Sequence, residues 1–274
     1  MTTLPDFLPD FLASHPATVL VEVTETWGST PRETGTIMLV ADNGLWGTIG
    51  GGYLEFMAIA HARRLLAGET LAPVLDVPLG PEIGQCCGGR TLMSFRSVDA
   101  DVMAQLSGRL ADERAAFPEV MVFGAGHVGL ALAHALQPLP LNVTLIDSRP
   151  EIDGTPPKGI TFLRVAMPEA EVARLKPGAA VVILTHDHAL DFLIAKEALA
   201  RTDLAYVGMI GSKTKRATFA SHLDREGLGR AALDRLTLPI GGSTVKDKRP
   251  AVIAAMVAAE LLAALDGAGT TAAT

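Results

Sequence analysis

The feature that most constrains this chain is a glycine turn set between two apolar segments. Gly124-Ala125-Gly126-His127-Val128-Gly129 follows the apolar run Glu119–Phe123 and opens an apolar stretch with helical patterning. A G-x-G-x-x-G spacing alone is weak, but between a strand and a helix it is the dinucleotide-binding turn. Gly124, Gly126 and Gly129 then supply a tight turn, close backbone approach and close helix packing. The helix N-terminus presents its free amides to a phosphate. The next apolar run, Asn142–Asp147, ends in Asp147, about 20 residues beyond the turn, where a carboxylate would reach a ribose 2′-hydroxyl. His127, inside the turn, reads equally as a contact beside the phosphate and as an exposed turn residue.

Further strand patterns fall at 161–165, 180–185 and 205–210, with helical patterns between them and a closing helix. Such alternation implies a parallel, doubly wound sheet, so residues 117–274 read as a Rossmann-like α/β domain. Ligands of such sheets bind beyond the carboxyl ends of the strands. Two segments lie there. Thr185-His186-Asp187-His188 offers His186 as a ligand or proton-handling contact, and its His-x-His pattern raises metal binding as an alternative. Gly208-Met209-Ile210-Gly211-Ser212-Lys213 offers a glycine turn, Ser212 as helix cap and Lys213 as a cation for an anionic group.

Residues 1–116 read differently, as a smaller α+β domain. Strand patterns at 18–26 and 36–40 precede the hairpin signal Asp42-Asn43-Gly44 and a returning strand at 45–49. A helix over 53–67, strands at 74–77 and 91–95, and an amphipathic helix over 97–116 complete it, and Phe117-Pro118-Glu119 stops that last helix. Three loops carry chemistry. Gly28-Ser29-Thr30-Pro31-Arg32 combines hydroxyls with an arginine fork, an anion cradle in which Ser29 and Arg32 are the contacts. Gly50, Gly51 and Gly52 free backbone amides to converge on an anion at a helix start, with Glu55 complementing the helix dipole. Gly84-Gln85-Cys86-Cys87-Gly88-Gly89 places two thiols in a glycine loop, where neighbouring amides favour the thiolate. Two cysteines cannot complete a structural zinc site, so a reactive or metal-contacting thiol is expected.

Composition excludes several classes. The chain has 23 basic and 30 acidic residues among 274, a net charge of −7, and no basic run to bind nucleic acid. The apolar stretch 251–265 is interrupted by Glu260 and is too short to span a bilayer, and the N-terminus lacks the charged start of a signal peptide. Adjacent cysteines sit about 3.8 Å apart at Cα, closer than an ordinary disulfide allows. A reducing compartment, the cytoplasm, is expected.

The Gly28–Arg32, Gly47–Gly52 and Gly84–Gly89 segments, with Glu55, resemble the first domain of the XdhC/CoxI family. Phe123-Gly124-Ala125-Gly126-His127-Val128-Gly129, Leu184-Thr185-His186-Asp187-His188 and the 208–213 turn with Lys215-Arg216 resemble its C-terminal Rossmann domain. The match runs in order from about residue 17 to 265. After Pro239-Ile240-Gly241 the chain continues Gly242-Ser243-Thr244-Val245-Lys246-Asp247-Lys248-Arg249-Pro250, which looks more like the xanthine-dehydrogenase branch than the carbon-monoxide-dehydrogenase branch.

The resemblance implies a molybdenum-cofactor chaperone rather than an enzyme. Such a protein binds the molybdopterin cofactor, holds it while a cysteine desulfurase supplies the terminal sulfido ligand, and passes it to apo xanthine dehydrogenase. Cys87 is then the metal-contacting thiol, with Cys86, Gln85 and the Gly50–Gly52 loop beside the pterin or its phosphate. A nucleotide in the Rossmann crevice and self-association into a homo-oligomer both stay open. Two rivals remain: an NAD(P)-dependent oxidoreductase with His186 or His188 as proton donor, and a docking protein whose glycine loops are only turns.

Overall fold

A computed structural model describes residues 8–80, 88–152, 154–227, 229–242 and 244–271. The chain divides into two compact units between Glu113 and Arg114, inside the last turn of a helix.

The first unit begins with α1 (Leu8–Ser14), then β1 (Thr18–Trp27), β2 (Ile37–Ala41), β3 (Leu45–Gly47), α2 (Gly52–Leu66), β4 (Val74–Pro78), β5 (Arg90–Ser97) and α3 (Ala100–Ala115). The strands form one antiparallel sheet in the order β3-β2-β1-β5-β4. Side chains alternate across a strand, so β1 serves two cores. Val19, Val21 and Val23 pack with Leu54, Ala58 and Ala62 of α2. Leu20, on the opposite face, joins Val102, Leu106 and Leu110 of α3 and Leu8 of α1. The Asp99 carboxylate caps α3 by accepting from the Val102 amide at 2.8 Å.

The second unit contains β6 (Glu119–Phe123), α4 (His127–Leu136), β7 (Asn142–Asp147), β8 (Thr161–Arg164), a 3₁₀ helix (Pro168–Arg174), β9 (Ala180–Ile183), α5 (His188–Ala200), β10 (Tyr206–Met209), α6 (Lys213–Arg225), α7 (Gly229–Asp234), β11 (Leu236–Thr237) and α8 (Pro250–Thr271). Its six strands are all parallel, in the order β11-β10-β9-β6-β7-β8. Helices cover both faces. Leu132 and Leu136 of α4 share a core with Val257 and Leu261 of α8, while Ile194 and Ala198 of α5 share another with Phe219 and Leu223 of α6. This is the doubly wound Rossmann-like α/β arrangement, and the chain reverses direction across the sheet between β6 and β9. Among the described residues no helix is long and apolar enough to cross a membrane.

Candidate functional site

In the first unit three loops distant in sequence come close together. Ser29 and Gly88 form an isolated parallel bridge. Gly89 fits only as glycine, because a Cβ there would lie 2.7 Å from the Trp27 carbonyl oxygen and would also strike that of Ser29. On the other side of the same loop, a Cβ on Gly50 would come within 2.8 Å of Pro31 Cβ and 3.3 Å of Arg32 Cγ. The Gly28–Arg32 loop is therefore the hub between the Gly50–Gly52 turn and the Gly88-Gly89 strand entry. Gln85, Cys86 and Cys87 lie outside the described residues.

The Gly50–Gly52 turn already holds an anion. Glu55 Oε2 accepts from the amides of Ile49 at 3.2 Å and Gly51 at 3.1 Å, and also from the Thr48 hydroxyl. The Thr48 oxygen in turn accepts from the Gly50 amide at 3.2 Å. What the sequence pattern offers to a foreign phosphate is thus filled by the chain's own carboxylate. Free capacity lies beside it. Ser29 and Arg32 are exposed, the Arg32 guanidinium has no partner among the described residues, and the space on the Cβ side of Gly51 and Gly88 is open. Three aromatic side chains flank these loops: Trp27 at the end of β1, under the Arg90 guanidinium, and Tyr53 and Phe56, which stack in the first turn of α2.

The glycine turn of the second unit matches its fingerprint position by position. A Cβ on Gly124 (φ 109°) would sit 2.5 Å from the Leu184 carbonyl oxygen, and one on Gly129 would collide with that of Gly124. Gly126 faces open space, as a ligand-approach position should. Asp147 is engaged within the chain. Its carboxylate is 5% exposed, accepts from the Ala125 amide at 2.7 Å and the Arg149 amide at 2.8 Å, and is gripped by the Arg149 guanidinium at 2.9 and 3.1 Å. Burial alone would raise its pKa; the Arg149 and Ala125 donors outweigh burial and hold it below the usual carboxylate range. With both oxygens engaged inside the chain, it is not a free acceptor for a ribose hydroxyl.

Gly124, Asp147 and His186 do meet, lining a crevice together with Pro168 and Leu190, with a volume of about 10 Å³. That is room for roughly one water. His127 and His188 are exposed first residues of α4 and α5. Asp187 caps α5, accepting from the Ala189 amide at 2.7 Å. No group of three or more potential ligands able to hold a metal occurs among the described residues. Lys213 is exposed at the start of α6, behind the Ser212 cap.

A family model for the XdhC Rossmann domain matches residues 120–261, more than half of the chain, and one for the XdhC and CoxI family matches residues 11–77. The chain belongs to the XdhC family. It is also 27% identical over 261 residues to the uncharacterized protein YqeB of Escherichia coli (strain K12), a match covering 89% of this chain but only 42% of YqeB. A crystal structure of a xanthine dehydrogenase from Bacillus halodurans superposes with a TM-score of 0.71 over 96% of each chain, at 18% identity. At that identity the likeness bears on the fold alone.

This XdhC-family chain also carries two polar clamps, one buried and one half-buried, that sequence patterning does not reveal. Asp191, fully buried, accepts from the Thr185 hydroxyl at 2.6 Å, the Thr185 amide at 3.1 Å and the Lys215 ammonium, which also donates to the Ile210 carbonyl at 2.9 Å. The clamp ties the loop after β9 to the end of β10. Glu260 of α8 accepts from the Tyr206 hydroxyl at 2.8 Å and the Gly241 amide at 3.0 Å. Burial first, then Glu260, pushes the Tyr206 pKa up, so the hydroxyl remains a donor. The available signals were faint: Asp191 reads as a helix-dipole residue, and Glu260 as a lone charge in an apolar helix.

Proposed function

We propose that this chain is an accessory protein of xanthine dehydrogenase maturation that binds the molybdenum cofactor, holds it for sulfuration by a cysteine desulfurase and delivers it to the apo-enzyme. The observation that carries this role is the meeting of the Gly28–Arg32, Gly50–Gly52 and Gly88-Gly89 loops, because the thiols immediately precede Gly88 in sequence. The residues present suit an anionic, ring-bearing group. Arg32 and Ser29 supply a cation and a hydroxyl, the open faces of Gly51 and Gly88 admit close approach, and Trp27, Tyr53 and Phe56 offer ring surface. Cys87 would hold the metal end and Arg32 the anionic end, while Gln85 and Cys86 would line the loop. Once bound, the cofactor supplies the molybdenum centre that the client requires. The family membership supports this role.

The test is the content of protein purified from a host that makes the cofactor. Oxidation should release a fluorescent pterin, and metal analysis should find molybdenum in proportion. Arg32→Glu and Cys87→Ala should each lower both. Protein free of pterin from such a host, or equal loading in the two variants, would remove the basis for this role.

A further inference from the structure

At the carboxyl edge of the parallel sheet, beyond β10 and β11, a cavity of about 580 Å³ opens between the ends of those strands and the first turns of α8. That volume falls in the range of small-molecule sites, whereas the crevice at the chain reversal holds about 10 Å³. Its walls are apolar: Ile210 and Ile240 on the strand side, Val252, Ile253 and Met256 on the helix side. The loop forming its floor is pinned, because the Gly241 amide donates to Glu260, itself fixed by the Tyr206 hydroxyl. Gly241 and Gly242 both take positive φ, 75° and 66°, which brings bare backbone to the cavity.

The rim is cationic in a chain of net charge −7. Asp247 is consumed by Arg249, which donates from its amide at 2.9 Å and its guanidinium at 2.6 and 2.8 Å. Lys246 and Lys248 line the cavity, are exposed and have no partner among the described residues. An apolar cavity with a pinned floor and two exposed lysines in its lining suits a ligand that joins an apolar ring to an anionic group. We propose that this cavity binds a planar heterocycle carrying an anionic group, its ring between Ile240 and Met256 and its charge toward Lys246 and Lys248. All of its lining residues belong to the second unit and none to the first-unit loops on which the proposed cofactor role rests, so the two proposals can fail independently.

Three probes of this class are FMN, NADH and the phosphorylated pterin obtained by oxidising molybdopterin, each titrated calorimetrically into the full chain. At least one should saturate with a Kd of about 100 μM or tighter. The double variant Lys246→Glu, Lys248→Glu alters only exposed side chains and should weaken it on the order of tenfold, as expected for lost charge-assisted contacts. Met256→Trp should abolish it by filling the slot, with circular dichroism confirming the fold. No saturation by any probe below about 1 mM would overturn the proposal. So would a lysine variant that binds normally, which removes the anion, or a Met256 variant that binds normally, which moves the ligand out of the cavity.

Discussion

Each unit sets a glycine turn against a helix N-terminus, and in each a carboxylate of the chain accepts from backbone amides there, those of Ile49 and Gly51 in the first unit and that of Ala125 alone in the second. In the first unit the acceptor is Glu55, half-buried, close to solvent and without a guanidinium partner. In the second it is Asp147, buried and clamped by Arg149. A glycine-rich turn therefore marks where an anion is stable, and says nothing about whether that anion is foreign. The two differ in how readily the internal anion could yield. Displacing Asp147 would leave a buried carboxylate and a guanidinium unpaired, whereas Glu55 can swing toward water.

Perturbations of the two units should separate them by size. Asp191→Ala strips the buried partner from Lys215 at the sheet edge of the second unit, which should cost about 3–5 kcal/mol in chemical denaturation. Gly129→Ala should cost about 1–3 kcal/mol because its Cβ meets the Gly124 carbonyl, while Gly126→Ala, facing open space, should cost under about 1 kcal/mol. Equal losses at the two glycines would contradict the packing described for the turn.

Asp147→Asn comes next. The folded carboxyl titrates below its ordinary value, so its contribution is complete above about pH 4 and is lost as pH falls through the folded pKa. The stability gap between the wild type and the Asn variant should thus be about 1–3 kcal/mol at pH 7 and should close on acidification. A gap independent of pH would mean that the Arg149 clamp contributes nothing through charge. Among the two carboxylates the smaller effect belongs to Glu55→Gln, about 1 kcal/mol, since the amide oxygen can still accept from Ile49 and Gly51. With the negative charge gone, that nest should gain affinity for phosphate, read as a phosphate-dependent rise in Tm absent from the wild type.

The strand and helix order was legible because both units are strongly patterned. Asn142–Asp147 and Glu119–Phe123 match their predicted bounds, and β1 alternates cleanly across two cores. The two-residue β11 is too short to show a period, and α1 hides behind Pro9, which a helix tolerates only in its first turn. Local spacing picked out the glycine turns, but their occupants depend on where Glu55, Asp147 and Arg149 point, and spacing carries no such information. The cavity beside β11 escaped for the same reason. Its walls come from the 210, 240 and 252–256 segments, which only the fold brings together.

Activation of a client enzyme tests most directly the proposal that the first-unit loops hold molybdenum cofactor. Wild-type chain loaded in a cofactor-producing host, mixed with apo xanthine dehydrogenase and a cysteine desulfurase, should restore xanthine oxidation. Cys87→Ala, prepared in the same way, should restore little. Equal activation by both, or none by the wild type, would contradict the account.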